Sequence, residues 1–328
     1  MSQIIVRIDD RIRLMSALLA ATSWPDDEQQ RKPHGTHAHA RGTRKRVLLH
    51  NKHAAVLILQ ALLDRGVPLE AVFTYALKLE WPGLSGAAPP PWVPPTWPRH
   101  LLNFYEQVEL ATWWEEEAQV WANSQRESER VIEDAAFRDL LKPFVGEFDD
   151  ALVFLPNVCY PTDSEIGVRA NGELCCIAPP RIAWGDNPPW PFDEDVAHIC
   201  RGALTQYGRL LMRKYLHQYE ATLAEVTQKK LPVTKAFSQR NPSWEEQFLE
   251  LFVVGLVAIY LEDAVNKQEA RAYVLMQKKA HGLEILPGVV SVLRRYLNGH
   301  EDGQYAGFVE YLPYFGTHLR VAKTITAL

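Results

Sequence analysis

A two-residue turn signal between two short apolar segments restricts the fold of this chain most. Asn171-Gly172 separates residues 165–169 from residues 173–177, and an Asn-Gly pair in this setting predicts a tight β-hairpin. The fully apolar residues 151–155 precede the hairpin and predict another strand. We therefore expect a small antiparallel sheet within residues 150–178.

Helical patterns dominate the rest of the sequence. A long amphipathic segment at residues 193–219 follows the hairpin directly, and Ser243 with Glu246 three residues later forms a capping-box pattern that begins another helix. The predicted fold class is α+β and predominantly helical, with the small antiparallel sheet followed by a long helix and a C-terminal helical layer. The other predicted C-terminal helices are residues 267–281, 288–298 and 304–318.

Prolines interrupt the chain between Trp81 and Pro98. Seven prolines in residues 81–98 exclude a helix, because each removes a backbone donor, and we expect Trp81, Trp92 and Trp97 to pack this connection onto the body. The polar residues 24–42 are expected to form a loop. The predicted organisation is a strand and helices in 1–80, a Pro/Trp-rich connection in 81–98 and a body in 99–328, with one integrated domain over 1–328 as the alternative.

Composition and charge exclude several classes of protein. The net charge is −5, whereas nucleic-acid-binding proteins carry a basic balance, so no nucleic-acid partner is expected. The chain shows no signal-peptide pattern and no apolar run of membrane-spanning length, and its four cysteines have no CxxC spacing. We expect a cytoplasmic protein without a membrane partner. No phosphate-binding loop and no nucleophile elbow is present.

One region rich in histidine and basic residues is a candidate binding site. Its histidines lie in the expected loop and at the following helix start without carboxylate or cysteine support, so no metal site is expected there. The basic residues lack the interleaved aromatic side chains typical of single-strand binding, which favours a solvated surface. The residues are His34, His37, His39, His50 and His53, with Arg41, Arg44, Lys45 and Arg46.

The sequence Val-Ala-His-Ile-Cys-Arg-Gly-Ala-Leu at residues 196–204 lies on the long helix after the sheet. Zinc peptidases carry His-Glu-x-x-His in this place, where two histidines bind zinc and the glutamate is the general base. The chain resembles, over nearly its whole length, a bacterial domain-of-unknown-function family of predicted zincin-type (gluzincin-like) metallopeptidases. Residues 8–14 are similar to its Asp-x-Arg-x-x-Leu opening, with Arg13 where an acidic residue is usual. Other parts of the family's pattern are matched by residues 53–56, 152–156 and 295–313. Trp244 followed by Glu250 also resembles that pattern.

The departures from that family's motif decide what the resemblance implies. His198 matches the first zinc ligand and Glu250 the third, whereas Ile199 stands at the catalytic glutamate and Gly202 at the second histidine. Isoleucine cannot accept a proton and glycine offers no ligand atom, so we expect no catalytic residue, no bound metal and no cofactor, zinc included. Cys200 and Arg201 would lie in the remaining cleft. A half-buried Glu250 would need a partner, for which His198 and Arg201 are the candidates.

The resemblance and its departures imply a degenerate, non-catalytic peptidase-like protein that binds a peptide or protein partner. Its cleft would lie between the hairpin edge and the helix at residues 193–219, where an extended peptide adds as a strand. One alternative is a metal-dependent hydrolase with a rebuilt site around His198 and Glu250. Another is a purely structural subunit. The sequence does not separate the binding protein from the structural subunit, and it leaves the oligomeric state open.

Overall fold

A computed structural model describes residues 4–31, 36–86, 88–159, 163–181 and 188–322. The chain divides into two compact units by its internal contacts. The sheet unit comprises Ser2–Glu133 with Asp150–Ile199, and the helical unit comprises Asp134–Asp149 with Cys200–Leu328. The predominantly helical α+β class is confirmed. No helix in the described ranges combines the length and the apolar character needed to cross a bilayer.

The sheet unit contains all the strands that the structure describes, together with helices of both its segments. Its elements are β1 (Ile4–Val6), α1 (Asp10–Ala20), α2 (Trp24–Arg31), α3 (Ala38–Val47), α4 (Ala54–Asp64), α5 (Leu69–Lys78), β2 (Leu79–Glu80), β3 (Ser85–Gly86), α6 (Trp97–Gln107), α7 (Leu110–Glu116), α8 (Ala118–Ile132), β4 (Ala151–Pro156), β5 (Ile166–Ala170) and β6 (Glu173–Ala178).

The main sheet is mixed, so the expectation of an antiparallel sheet was wrong in part. Its strand order is β1-β4-β6-β5, with β4 parallel to both β1 and β6, while only β5 and β6 pair antiparallel. The reason lies in β4, which is apolar at every position and largely buried. Such a strand suits the centre of a sheet covered on both faces, where parallel pairing is common.

The predicted hairpin between β5 and β6 is confirmed. Asn171 and Gly172 both have positive φ, 53° and 75°, which is the conformation of the two-residue turn that matches strand twist. The Asn171 side-chain amide donates to the Leu77 carbonyl at 2.9 Å, and α5 packs along β5. Most side chains of β5 are buried. The hydrogen bond from Asn171 thereby ties the hairpin turn to the end of α5.

Both cysteines of β6 are fully buried. Cys175 and Cys176 point to opposite faces of a strand, and alternation predicts one exposed thiol when only one face is covered. Each has 0% exposure, because the sheet is covered on both sides.

The expected loop at residues 24–42 contains helical segments instead. Pro25 lies in the first turn of α2, where its missing donor costs nothing. Asp26 and Asp27 in that turn and Arg31 in the last turn match the helix dipole. His37 begins α3, and its Nδ1 accepts a hydrogen bond from the Ala40 N–H at 3.3 Å. Prolines and polar residues at helix starts were therefore misinterpreted as loop signals.

The Pro/Trp-rich connection packs through aromatic rings, as expected, but most of its partners lie in α4 and α5 rather than in residues 99–328. Trp97 is fully buried, stacks on Tyr75 at 5.6 Å between ring centroids, and donates from Nε1 to the Ala55 carbonyl at 3.2 Å. Trp92 meets Tyr75 edge-on, and Trp81 meets Tyr105 in the same way. These contacts bury wide rings and hold a segment that has little hydrogen bonding of its own.

The helical unit is built from packed helices over its two segments. Its elements are α9 (Phe137–Val145), α10 (Val196–Gln218, apart from its first four residues), α11 (Glu220–Leu223), α12 (Lys235–Arg240), α13 (Trp244–Tyr260), α14 (Lys267–His281), α15 (Leu286–Glu301) and α16 (Phe308–Ala322). The capping box at Ser243 and Glu246 is present, as predicted.

A close approach between α13 and α15 depends on Gly255. A Cβ atom at this position would lie 2.7 Å from Leu293 Cδ1 and 2.8 Å from Val289 Cγ1. Both neighbours are fully buried, and Val289 is β-branched and stiff on its helix. The glycine therefore provides space rather than conformational freedom.

Alanine substitutions at two helical glycines are expected to change stability in opposite directions. Gly255→Ala should lower the free energy of unfolding by about 1 to 2 kcal/mol, because overpacking exceeds the gain in helix propensity. Gly316→Ala in α16, where the nearest atom would be 3.7 Å away, should raise it by about 0.5 to 1 kcal/mol. Urea unfolding followed by circular dichroism measures both, and equal effects would contradict this account of α13 and α15.

Candidate functional site

The structure places the predicted site positions along α10 and α13. His198 lies half-buried in the first turn of α10, and its backbone N–H donates to the Asp195 carboxylate at 2.9 Å. Ile199 is buried. Asp195 thus satisfies a donor of the helix start. His198 and Ile199 both belong to the sheet unit.

The next positions of α10 belong to the helical unit and are used in packing. Gly202 is buried and Arg201 is half-buried. Cys200 is buried, and its sulfur lies within interaction distance of the Tyr260 hydroxyl of α13. Burial raises the pKa of the Cys200 thiol to about 12. A thiol in this state is not a nucleophile at neutral pH.

Glu250 has a partner that the sequence did not identify. Arg209 Nη2 donates to its carboxylate at 2.6 Å, so the observed ion pair uses neither His198 nor Arg201. Arg209 lies seven residues after Gly202, which is about 10 Å of helix rise. Gly202 therefore lies well before the part of α10 that carries the partner of Glu250.

The other contacts between α10 and α13 show that the two helices run antiparallel. Gly208 lies against Val253 and Leu256, and His217 Nε2 is 3.4 Å from the Glu245 carboxylate. Together with the Arg209–Glu250 pair, this register gives Glu250 a structural role at the helix seam. From sequence, Glu250 was expected to match a zinc ligand, because a glutamate at this place on a helix resembles the third ligand of the zinc peptidases.

The histidine-rich region uses its described members in structural contacts. His37 is buried as the N-cap of α3, and His39 Nδ1 lies 3.2 Å from the Glu117 carboxylate. His53 Nδ1 accepts from the Ala55 N–H at 3.1 Å. His34 lies outside the described residues. Across the described ranges, no group of three or more His, Cys, Asp or Glu side chains has a metal-binding arrangement.

The four cysteines should be unreactive in the folded protein. All are buried, and burial raises the pKa of each thiol. With a thiol-specific chromogenic reagent at pH 8, we expect slow reaction in buffer and rapid reaction of every thiol in denaturant. One thiol that reacts rapidly without denaturant would contradict the burial described above.

The helical unit contains a cavity of about 590 Å³ at the C-terminal end of α10. We call it the helix-end pocket, because α9, α10 and α15 all end beside it. Its volume lies within the range of small-molecule and side-chain sites. It is lined by Asp139, Lys142, Pro143, Phe144, Val145, Gly146, Glu147, Tyr215, Gln218, Tyr219, His300, Ala306, Gly307 and Phe308.

Helix ends give the helix-end pocket a negative bias. The last carbonyls of α9, α10 and α15 carry partial negative charge at their C-termini. Two helices begin beside the pocket: α11, which is a single turn directly after Tyr219, and α16. At the positive end of α16, the Val309 N–H donates to the Tyr215 hydroxyl, and the Ala306 N–H donates to the Glu310 carboxylate, each at 2.8 Å. The backbone around the pocket therefore favours a positively charged group.

Charged side chains at the pocket do not reverse this bias. Lys142 Nζ lies 2.8 Å from the Glu147 carboxylate, so its charge is offset within the wall. Asp139 adds a further carboxylate to the lining. The lining side chains therefore give no net positive charge when His300 is neutral.

Aromatic side chains supply the apolar part of the wall. Tyr215 and Tyr219 are four residues apart on α10, with ring centroids 4.8 Å apart. His300 stacks on Tyr296, and its Nδ1 donates to the Tyr305 carbonyl at 2.9 Å, which leaves Nε2 as an acceptor in the neutral ring. Burial raises the pKa of Tyr215 to about 12, so its hydroxyl stays protonated.

None of the residues in the helix-end pocket was predicted from sequence. The only signal was the spacing of Tyr215 and Tyr219, which is equally typical of a helix core. No family model, no curated protein and no solved structure matches this chain. The case for a function therefore depends on the geometry of the site.

Proposed function

We propose that this protein is a non-catalytic binding protein with a degenerate metallopeptidase-like fold, and that its helix-end pocket holds a cationic side chain of a partner peptide. The observation that carries the proposal is that α9, α10 and α15 all end beside the helix-end pocket, whose lining includes the rings of Tyr215 and Tyr219. An arginine side chain offers a planar cation for these rings and five donors for the surrounding carbonyls.

The residues at the former peptidase positions support the non-catalytic part of the proposal. Ile199 is buried, Gly202 packs inside α10, and the Glu250 carboxylate is paired with Arg209. All three positions are thus used in packing or in an ion pair. A general base would instead need a carboxylate within reach of the proton that it accepts.

The proposal is tested by titration of the full chain with the peptide acetyl-Ala-Ala-Arg-Ala-Ala-amide. Its neutral counterpart carries citrulline in place of arginine. We expect the arginine peptide to bind at least about tenfold more tightly, since a cation over an aromatic ring contributes up to about 2 kcal/mol when desolvated. Isothermal titration calorimetry measures both affinities.

Two tyrosine variants separate the pocket from general aromatic surface. Tyr219→Ala should weaken binding of the arginine peptide by about tenfold. Tyr314→Ala removes a tyrosine of α16 that is 53% exposed and does not line the pocket, so it should leave the affinity unchanged. Equal affinities for the two peptides, or equal effects of the two variants, would overturn the proposal.

A further inference from the structure

Charge is strongly segregated in the N-terminal part of the chain. The protein has 40 Asp and Glu residues in total, yet none lies between Glu28 and Asp64, where seven Lys or Arg residues occur. A cluster of like charges in an acidic protein creates a local positive potential that attracts anionic surfaces. The stretch was expected to be an ordinary solvated surface, which does not require such segregation.

Two leucines are exposed at the centre of this basic stretch. Leu48 is 42% exposed and Leu49 is 87% exposed, on a single 3₁₀ turn, Leu48–His50, directly after α3. The preceding residue, Val47, is fully buried and anchors the turn to the core. We call residues 45–52 the basic tip. An 87% exposed leucine stands out from the surface and makes few contacts with its own unit.

Lysines flank the leucines on both sides. Lys45 and Lys52 are exposed, and no carboxylate of the described residues lies within ion-pairing distance of either. The neighbouring cations differ, because Arg44 pairs with Asp26 at 2.7 Å and Arg46 lies over the Trp113 ring at 5.3 Å. The two lysines are thus the charges that the tip presents to an approaching surface.

We propose that the basic tip docks this protein on an anionic lipid surface, with Leu48 and Leu49 inserted among the acyl chains and Lys45 and Lys52 at the headgroups. Lysines near such a membrane add attraction, and apolar side chains that enter the interface add burial. A convex tip suits a deformable bilayer, whereas a protein partner would need a matching cavity. Nucleic acid would use the cations but would leave the leucines in water.

The test is co-sedimentation of the full-length chain with vesicles at low salt. Vesicles of phosphatidylcholine with about 30% phosphatidylserine should bind the protein, and vesicles of phosphatidylcholine alone should not. The double variant Leu48→Ser/Leu49→Ser should lose at least about tenfold in affinity, since two apolar side chains no longer insert. Lys45→Glu/Lys52→Glu should lose a similar factor, and added salt should weaken binding.

Leu275→Ser is the matched control. Leu275 is 51% exposed on α14 in the helical unit, so its loss should leave vesicle binding unchanged. Every variant is surface-exposed, and circular dichroism shows whether it is folded. No binding to anionic vesicles, equal binding to both vesicle types, or equal loss from Leu275→Ser would overturn the proposal. Binding to duplex DNA or RNA that survives the leucine substitutions would assign the tip to nucleic acid instead.

Discussion

Replacement of Arg13 by alanine should lower the free energy of unfolding by about 3 kcal/mol, among the largest effects expected of a single substitution here. The Arg13 guanidinium lies between two indole rings, 4.1 Å from the centroid of Trp114 and 4.2 Å from that of Trp121. Its Nη1 donates to the Asp10 carboxylate at 3.0 Å. Alanine would leave a cavity between the rings and remove a buried positive charge.

The surroundings of Arg13 explain why the effect should be large. The residue is 9% exposed, so most of the space that its side chain fills would become a cavity beside the two indole rings. Glu117, 8% exposed, joins α7 to α8 and contributes a favourable charge interaction with Arg13. Alanine would also remove the hydrogen bond that Arg13 donates to the Asp10 carboxylate.

Arg46→Ala is the matched control for Arg13→Ala. Arg46 also lies over an indole ring, that of Trp113 at 5.3 Å, but its side chain is 29% exposed. We expect a loss below about 1 kcal/mol, since exposed cation–π contacts are weak. Urea unfolding curves give both values. A loss for Arg13→Ala as small as that for Arg46→Ala would show that the double stacking contributes little.

Acid should destabilise the protein through His37 as the pH falls below 6.5. Burial lowers the pKa of His37 from 6.5 to about 3 in the folded chain. The unfolded chain therefore binds a proton between these values while the folded chain does not. The contribution of neutral His37 is complete above pH 6.5 and is lost on acidification by about 1.4 kcal/mol per pH unit. Protonation would also remove the acceptor that Nδ1 offers to the Ala40 N–H.

His37→Asn tests this linkage without loss of the helix cap. Asparagine is a good N-cap residue and does not titrate, so the variant should lose less stability than the parent between pH 6 and pH 4. The difference in slope should approach that of one proton, about 1.4 kcal/mol per pH unit. Free energies of unfolding measured in urea at several pH values provide the slopes. Parallel curves for the two proteins would exclude His37 as the titrating group.

The sequence was a good guide where local chemistry determines local structure. Asn171-Gly172 specified the hairpin because both residues tolerate positive φ, and Ser243 with Glu246 specified the start of α13 through reciprocal hydrogen bonds. The apolar run of β4 also carried its own signal. A strand without polar positions suits burial on both faces, which agrees with its central place in the mixed sheet.

Features that depend on distant residues were not predictable in the same way. The Arg209–Glu250 pair follows from the register of α10 against α13, and no local pattern records that register. The helix-end pocket requires α9, α10 and α15 to end at one place, although their ends lie far apart in sequence. In residues 24–42, prolines and polar residues at helix starts resembled loop signals because the same residue types suit both.

The location of a bound cation tests the proposed function most directly. The measurement is a nuclear Overhauser experiment on the full chain with acetyl-Ala-Ala-Arg-Ala-Ala-amide, with the tyrosine rings and the arginine side chain isotopically labelled. We expect contacts between the arginine side-chain protons and the ring of Tyr219, within about 6 Å, that disappear in Tyr219→Ala. Contacts only with aromatic rings outside the helix-end pocket, or no contacts at saturating peptide, would contradict the proposed function.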